Sequence, residues 1–81
     1  FNPSTNIFYY VENDFENLSI KILDLLGREV KVLYEGHKMS GYYEIKWDGT
    51  NTYGEQIGSG IYFIQANLGK SKIYKKVMKL K

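Results

Sequence analysis

The sequence predicts an all-β fold in which short antiparallel strands form two facing sheets. Three observations lead there. No stretch sustains a helical period; apolar and polar residues alternate in short runs; and Gly, Asn and Asp separate those runs at even intervals. Aromatic residues are 16% of the chain and eight are Tyr, a bias that suits pleated, half-buried surfaces.

Taken in order, Thr5 to Val11 is the first strand. Ile7, Tyr9 and Val11 share one face, and Phe8 and Tyr10 the other. Pro3 lies just before it, where a missing N–H does no harm to a ladder. Asn13-Asp14 breaks the run. Leu18 to Asp24 follows, with Leu18, Ile20 and Ile22 on one face and Ser19, Lys21 and Leu23 on the other. Gly27 supplies the positive φ of a tight turn, and Val30 to Tyr34 returns as the hairpin partner. A short helix over Leu23 to Glu29 is the competing reading, and Gly27 in its middle opposes it.

Gly36 and Gly41 bracket the next loop. Tyr43, Ile45 and Trp47 then alternate with Tyr42, Glu44 and Lys46, which turns Trp47 inward. From Asp48 to Gly60 nearly every residue is a turn former. Asp48 is placed to accept from the backbone two residues on, Gly49, Gly54, Gly58 and Gly60 permit bends, and Ile57 points inward. Ile61 to Leu68 and Lys72 to Leu80 complete the set, with Gly69 at their turn. The result is an immunoglobulin-like β-sandwich of six antiparallel strands, or seven if Gln56-Ile57 pairs. A closed six-stranded barrel is the alternative. No boundary, repeat or low-complexity segment divides residues 1–81, which read as a single domain of a size near the lower limit for one hydrophobic core.

Composition narrows the function. There is no apolar run long enough to cross a bilayer and no basic-then-apolar leader. The chain begins at Phe1, not Met, and reads as a piece of a longer protein. Without cysteine there is no disulfide framework, thiolate metal site or cysteine nucleophile. The net charge of +2 conceals an asymmetry: residues 1–55 sum to −4, whereas Lys70, Lys72, Lys75, Lys76, Lys79 and Lys81 follow with no acid. Such a tail attracts anionic partners, or it is a lysine-studded edge that resists pairing with neighbouring chains.

Nothing in the sequence assembles a reaction centre. His37 is the only histidine, and Ser40 beside it lacks an orienting carboxylate. Asp48, Asn51 and Glu55 offer oxygens to a cation, but not in the spacing of a helix-loop-helix calcium site; an Asx-type turn accounts for them better. "GEQIGSG" lacks the lysine-hydroxyl pair of a phosphate loop. Asn17-Leu18-Ser19 matches a glycosylation sequon by its three residues alone. Tyr62, Tyr74 and the basic tail suggest a base-stacking platform, yet the acidic first two-thirds and the missing ribonucleoprotein motif speak against nucleic acid. The expectation is a protein without catalytic residues, cofactor or metal.

Five segments carry a resemblance: "FNPST", "DLLGREV", "GYYEIKWDG", "GEQIGSGIYF" and "KKVMKLK", in this order across the chain. Together they resemble the C-terminal sorting domain of type IX-secreted bacterial proteins. The same pattern is similar to the immunoglobulin-like domain of the flagellar hook-capping protein. Asn2 and Pro3 match the end of the sorting family's boundary motif, whose first Pro is absent. Asp24, Gly27, Arg28 and Val30 match its first hairpin; Trp47, Asp48 and Gly49 the exit of its fourth strand; Gly54, Gly58, Gly60 and Tyr62 its long turn and fifth strand. Lys75, Lys76, Val77, Met78, Lys79, Leu80 and Lys81 match its terminal strand. The resemblance implies a module that follows a cargo domain in the same chain. It implies recognition by outer-membrane secretion and sorting machinery, through the terminal strand and Arg28, on the way through the periplasm to the surface of a Gram-negative bacterium. The turn residues are expected to be structural. Two other classes fit the same residues: a self-assembling subunit that exchanges strand edges, and an accessory spacer of a secreted hydrolase that touches carbohydrate through Tyr42, Tyr53 or Tyr62.

Overall fold

A computed structural model describes residues 4–80, with the side chains of Phe15 and Glu16 outside the description. Six strands follow one another: β1 (Thr5–Val11), β2 (Phe15–Leu23), β3 (Glu29–Lys38), β4 (Gly41–Trp47), β5 (Gly60–Leu68) and β6 (Ser71–Lys79). They form two sheets, a four-stranded one in the order β3-β2-β5-β6 and a two-stranded one of β1 and β4, with every pairing antiparallel. This is the immunoglobulin-like sandwich the alternation predicts. The barrel alternative fails because, among the described residues, β1 and β4 pair only with each other, so the ring of strands does not close.

The core is built from the faces that alternation assigns inward. Ile7 and Val11 of β1 and Trp47 of β4 meet Leu18, Ile20 and Ile22 of β2 and Ile64 of β5. β2 lies between β3 and β5 and supplies three of these seven side chains. Each fully buried aliphatic side chain contributes roughly 1.5–3 kcal/mol. Leu23, expected on the outer face with Lys21, is also buried.

Two local alternatives are excluded and one expectation is corrected. Residues 24–28 form a tight turn with no helix: Gly27, at φ 81°, donates its N–H to Asp24 O at 3.0 Å. β3 runs on to Lys38 where a loop was expected from Gly36, because Gly36 stays in the ladder opposite Leu18 at φ 148°. Its missing side chain leaves room for the Tyr34 ring, whose hydroxyl oxygen would lie 3.4 Å from a Cβ there. Gln56 makes one isolated bridge with Thr50, so Gln56-Ile57 is not a seventh strand.

Candidate recognition surface

The loop 48–60 carries most of the turn motifs, and three strands fasten it. Trp47, at the end of β4, is completely buried and donates its indole N–H to Thr50 O at 3.0 Å. Tyr62 of β5 stands edge-on to the Trp47 ring, centroids 5.5 Å apart, and its hydroxyl donates to Gly58 O at 2.7 Å. Lys79 of β6 donates to Ile57 O at 2.8 Å. Side chains from consecutive motifs thus satisfy carbonyls that no ladder reaches. Within the loop, Asp48 Oδ1 accepts from Thr50 N at 3.1 Å and from Thr50 Oγ1 at 2.5 Å, while Lys31 Nζ donates to Thr50 Oγ1 at 2.7 Å. The Thr50 hydroxyl holds the Asp48 carboxyl below its ordinary value of 3.8; the Thr50 N–H and Lys31 add to this against an opposing desolvation. Asn51 Oδ1 accepts from Tyr53 N and Glu55 N, and Asn51 Nδ2 donates to Glu55 Oε1. One oxygen each of Asp48 and Asn51 is therefore engaged in an Asx-type turn, and one of Glu55 in a side-chain bond to Asn51. Among the described residues no three or more His, Cys, Asp or Glu converge. Gly49 is buried, and its carbonyl accepts from Ile57 N at 3.2 Å; Gly54, Gly58 and Gly60 are exposed.

The β2–β3 turn is built by Asp24. Its Oδ1 accepts from Leu26 N and Arg28 N, each at 2.9 Å, and its Oδ2 from Arg28 Nε at 2.8 Å. These bonds, the Arg28 N–H foremost, lower the Asp24 pKa. The turn holds Leu25 and Leu26 out in solvent, Leu26 being 77% exposed. Arg28 is exposed as well. An open groove of about 250 Å³ runs beside the turn, lined by Leu23, Asp24, Leu25, Gly27, Phe63 and Tyr74.

Among the described residues, β6 forms one edge of the larger sheet with no strand beyond it. Lys70, Lys72, Lys75 and Lys76 are exposed and have no acidic partner among the described residues. Met78 and Leu80 are exposed too, and Val77 is half-buried against the core. Lys79 departs from the expected exposed strand: it is 1% exposed. It shares the inward parity of Val77, so alternation along β6 was the available signal. Asn2, Pro3 and Lys81 lie outside the described residues.

Sequence reading named Tyr42 for carbohydrate but did not single out the outer face of the smaller sheet on which it stands. Phe8 (72% exposed), Tyr10 and Tyr42 (87% exposed) stand together there, with Tyr10 and Tyr42 ring centroids 4.7 Å apart. Alternation assigned Phe8 and Tyr10 to one face of β1, but only the β1–β4 register brings Tyr10 opposite Tyr42. Tyr53 is exposed, whereas Tyr62, considered for carbohydrate, is half-buried against Trp47. Burial raises the Tyr62 pKa above its ordinary 10.0, with the Asp24 charge adding to it. His37 is exposed, its Nε2 3.3 Å from Met39 Sδ. Near it, Lys38 Nζ lies over the Tyr43 and Tyr34 rings at 4.3 and 4.7 Å from their centroids and closes one end of the core.

A family model described as the FlgD Ig-like domain matches residues 3–72. Among solved structures, FlgD from P. aeruginosa superposes with a TM-score of 0.64 at 15% sequence identity, covering 94% of this chain and 59% of that one. The chain thus spans less than two thirds of that protein, and the likeness is one of fold. No curated protein sequence matches.

Proposed function

Because the chain belongs to the family of FlgD immunoglobulin-like domains, we propose that it is a non-catalytic recognition module whose last strand is read by another macromolecule. More specifically, it sorts a cargo joined to it through the type IX outer-membrane system of a Gram-negative bacterium to the cell surface. The observation that carries this reading is the place of β6 at the edge of the larger sheet, with four exposed lysines that have no acidic partner among the described residues and with Met78 and Leu80 exposed. An unpaired edge offers main-chain hydrogen bonds to a receptor, and its side chains supply selectivity. The rigid Asp24–Arg28 turn with its two exposed leucines gives a second contact near the same sheet.

The test is export of a reporter fused to residues 1–81 in a type IX-competent bacterium. Removal of residues 76–81 is expected to abolish export. So is the combined change Lys70→Ser, Lys72→Ser, Lys75→Ser and Lys76→Ser, which leaves the core untouched and is checked for folding by a thermal melt. Export that survives both changes overturns the reading.

One observation favours a second reading. The exposed Phe8, Tyr10 and Tyr42 face suits stacking on sugar rings, as in an accessory module of a secreted hydrolase. Glycan-array binding that disappears in Tyr42→Ala would support it, and silence on the array removes it.

A further inference from the structure

Antiparallel pairing fixes which side chains of β6 share a face. Lys72, Tyr74, Lys76 and Met78 lie opposite Asn67, Gln65, Phe63 and Ile61, on the outer face of the sheet. Phe63 in turn lies opposite Leu23 on β2, so Tyr74 forms the β6-side wall of the apolar groove. Gln65 Nε2 donates to the Tyr74 hydroxyl at 3.0 Å and braces that wall. On the opposite face Ile73 and Lys75 point the other way, opposite Ala66 and Ile64. Ile73 and Tyr74 are both 55% exposed. The free edge therefore presents, from 72 to 76, the order cation, apolar, aromatic, cation, cation.

We infer that this edge takes an added antiparallel strand from a different chain, with acids opposite Lys72, Lys75 and Lys76 and apolar side chains opposite Ile73 and Tyr74. The inference rests on β6 being the recognition edge and specifies the chemistry of its partner. Charge complementarity selects the occupant: opposite charges across a strand pair attract, and like charges repel. A second copy does not meet the requirement. Two β6 edges paired antiparallel about Tyr74 would set Lys72 against Lys76 twice. The β3 edge mixes Glu29 and Glu35 with Lys31 and Lys38, and Glu29 is held by Lys21 at 3.2 Å.

The test titrates the 81-residue chain with an end-blocked Thr-Glu-Glu-Leu-Val-Glu-Thr peptide and with its Gln-for-Glu counterpart, following backbone amides by NMR. The acidic peptide is expected to bind about tenfold more tightly than the neutral one. Its shifts should centre on β6 and the Leu23–Phe63 groove, and the advantage should vanish at about 0.5 M salt. Lys72→Glu with Lys76→Glu, both exposed changes, should reverse the preference towards a Lys-for-Glu peptide. Equal affinities, no binding at millimolar peptide, shifts centred on the Phe8–Tyr42 face, or self-association through β6 would each overturn the inference. Failure here and failure of sorting are separable. A Lys72→Glu, Lys76→Glu chain that is still exported removes the acidic partner and leaves sorting intact. Export surviving loss of residues 76–81 and of the lysines removes sorting, and the peptide isotherm stands or falls by itself.

Discussion

Lys79 shows how a single residue type misleads when parity is ignored. Among the described lysines of β6 it is the one that is buried, and its ammonium meets the Ile57 carbonyl beneath the loop. A buried carbonyl left unpaired costs about 1–3 kcal/mol, and losing the stem adds a cavity. Lys79→Met, which keeps most of the stem, is expected to lower stability by about 1 kcal/mol. Lys79→Ala is expected to lower it by about 2–4 kcal/mol. Urea denaturation of both variants checks the order, and a Lys79→Ala chain as stable as the parent would show that the loop does not depend on this contact. Trp47 was legible from alternation alone; its hydrogen bond to Thr50 O was not, because the partner lies in the irregular loop beyond the strand.

At the scale of elements, loop 48–60 is held by turns centred on Asp48 and Asn51 inside it and by three side chains from outside. The internal part is pH-sensitive. Asp48 has a folded-state pKa below the ordinary 3.8, so its contribution is fully present above that value and is lost as pH falls through the lower, folded value. Asp24 follows the same direction in the β2–β3 turn. Thermal melts between about pH 5 and pH 2 should show stability falling on the acid side below about pH 4. Asp48→Asn, which keeps an acceptor oxygen and removes the titration, should flatten that limb; an unchanged slope would place the acid loss elsewhere. The turn over 24–28 was readable because Asp and Gly have few other reasons to occupy those positions. The length of β3 was not. Gly36 reads locally as a break, and only pairing with Leu18 and the approach of the Tyr34 ring explain why it remains a strand residue.

For the whole molecule, the charge asymmetry becomes a property of one edge. The larger sheet ends in β3 on one side and β6 on the other, and the acid-free part of the chain lies along β6. Free edges invite association, and lysines oppose it. Light scattering of the parent chain is expected to stay flat with concentration at low salt. The variant with Lys70, Lys72, Lys75 and Lys76 changed to Ser should associate as concentration rises. Scattering that is the same for both would show that the lysines do not protect the edge. If the variant associates, its loss of export is read alongside the truncated chain, which lacks the last four residues of β6.

By itself the sequence determined the all-β class, the six strands, most of the inward faces and the main turn residues. Each of these follows from local rules: alternation with period two, and the few residue types that tolerate sharp bends. Only the tertiary structure decided that Lys79 is buried, that Tyr62, Trp47 and Lys79 fasten one loop, and that Phe8, Tyr10 and Tyr42 share an outer face. Those facts depend on which strands become neighbours and in what register, and contacts between residues far apart in the chain carry no local mark. The free edge of β6 is of the same kind. Its lysines are visible in the sequence, but their standing on an unpaired edge exists only once the sheet has an order.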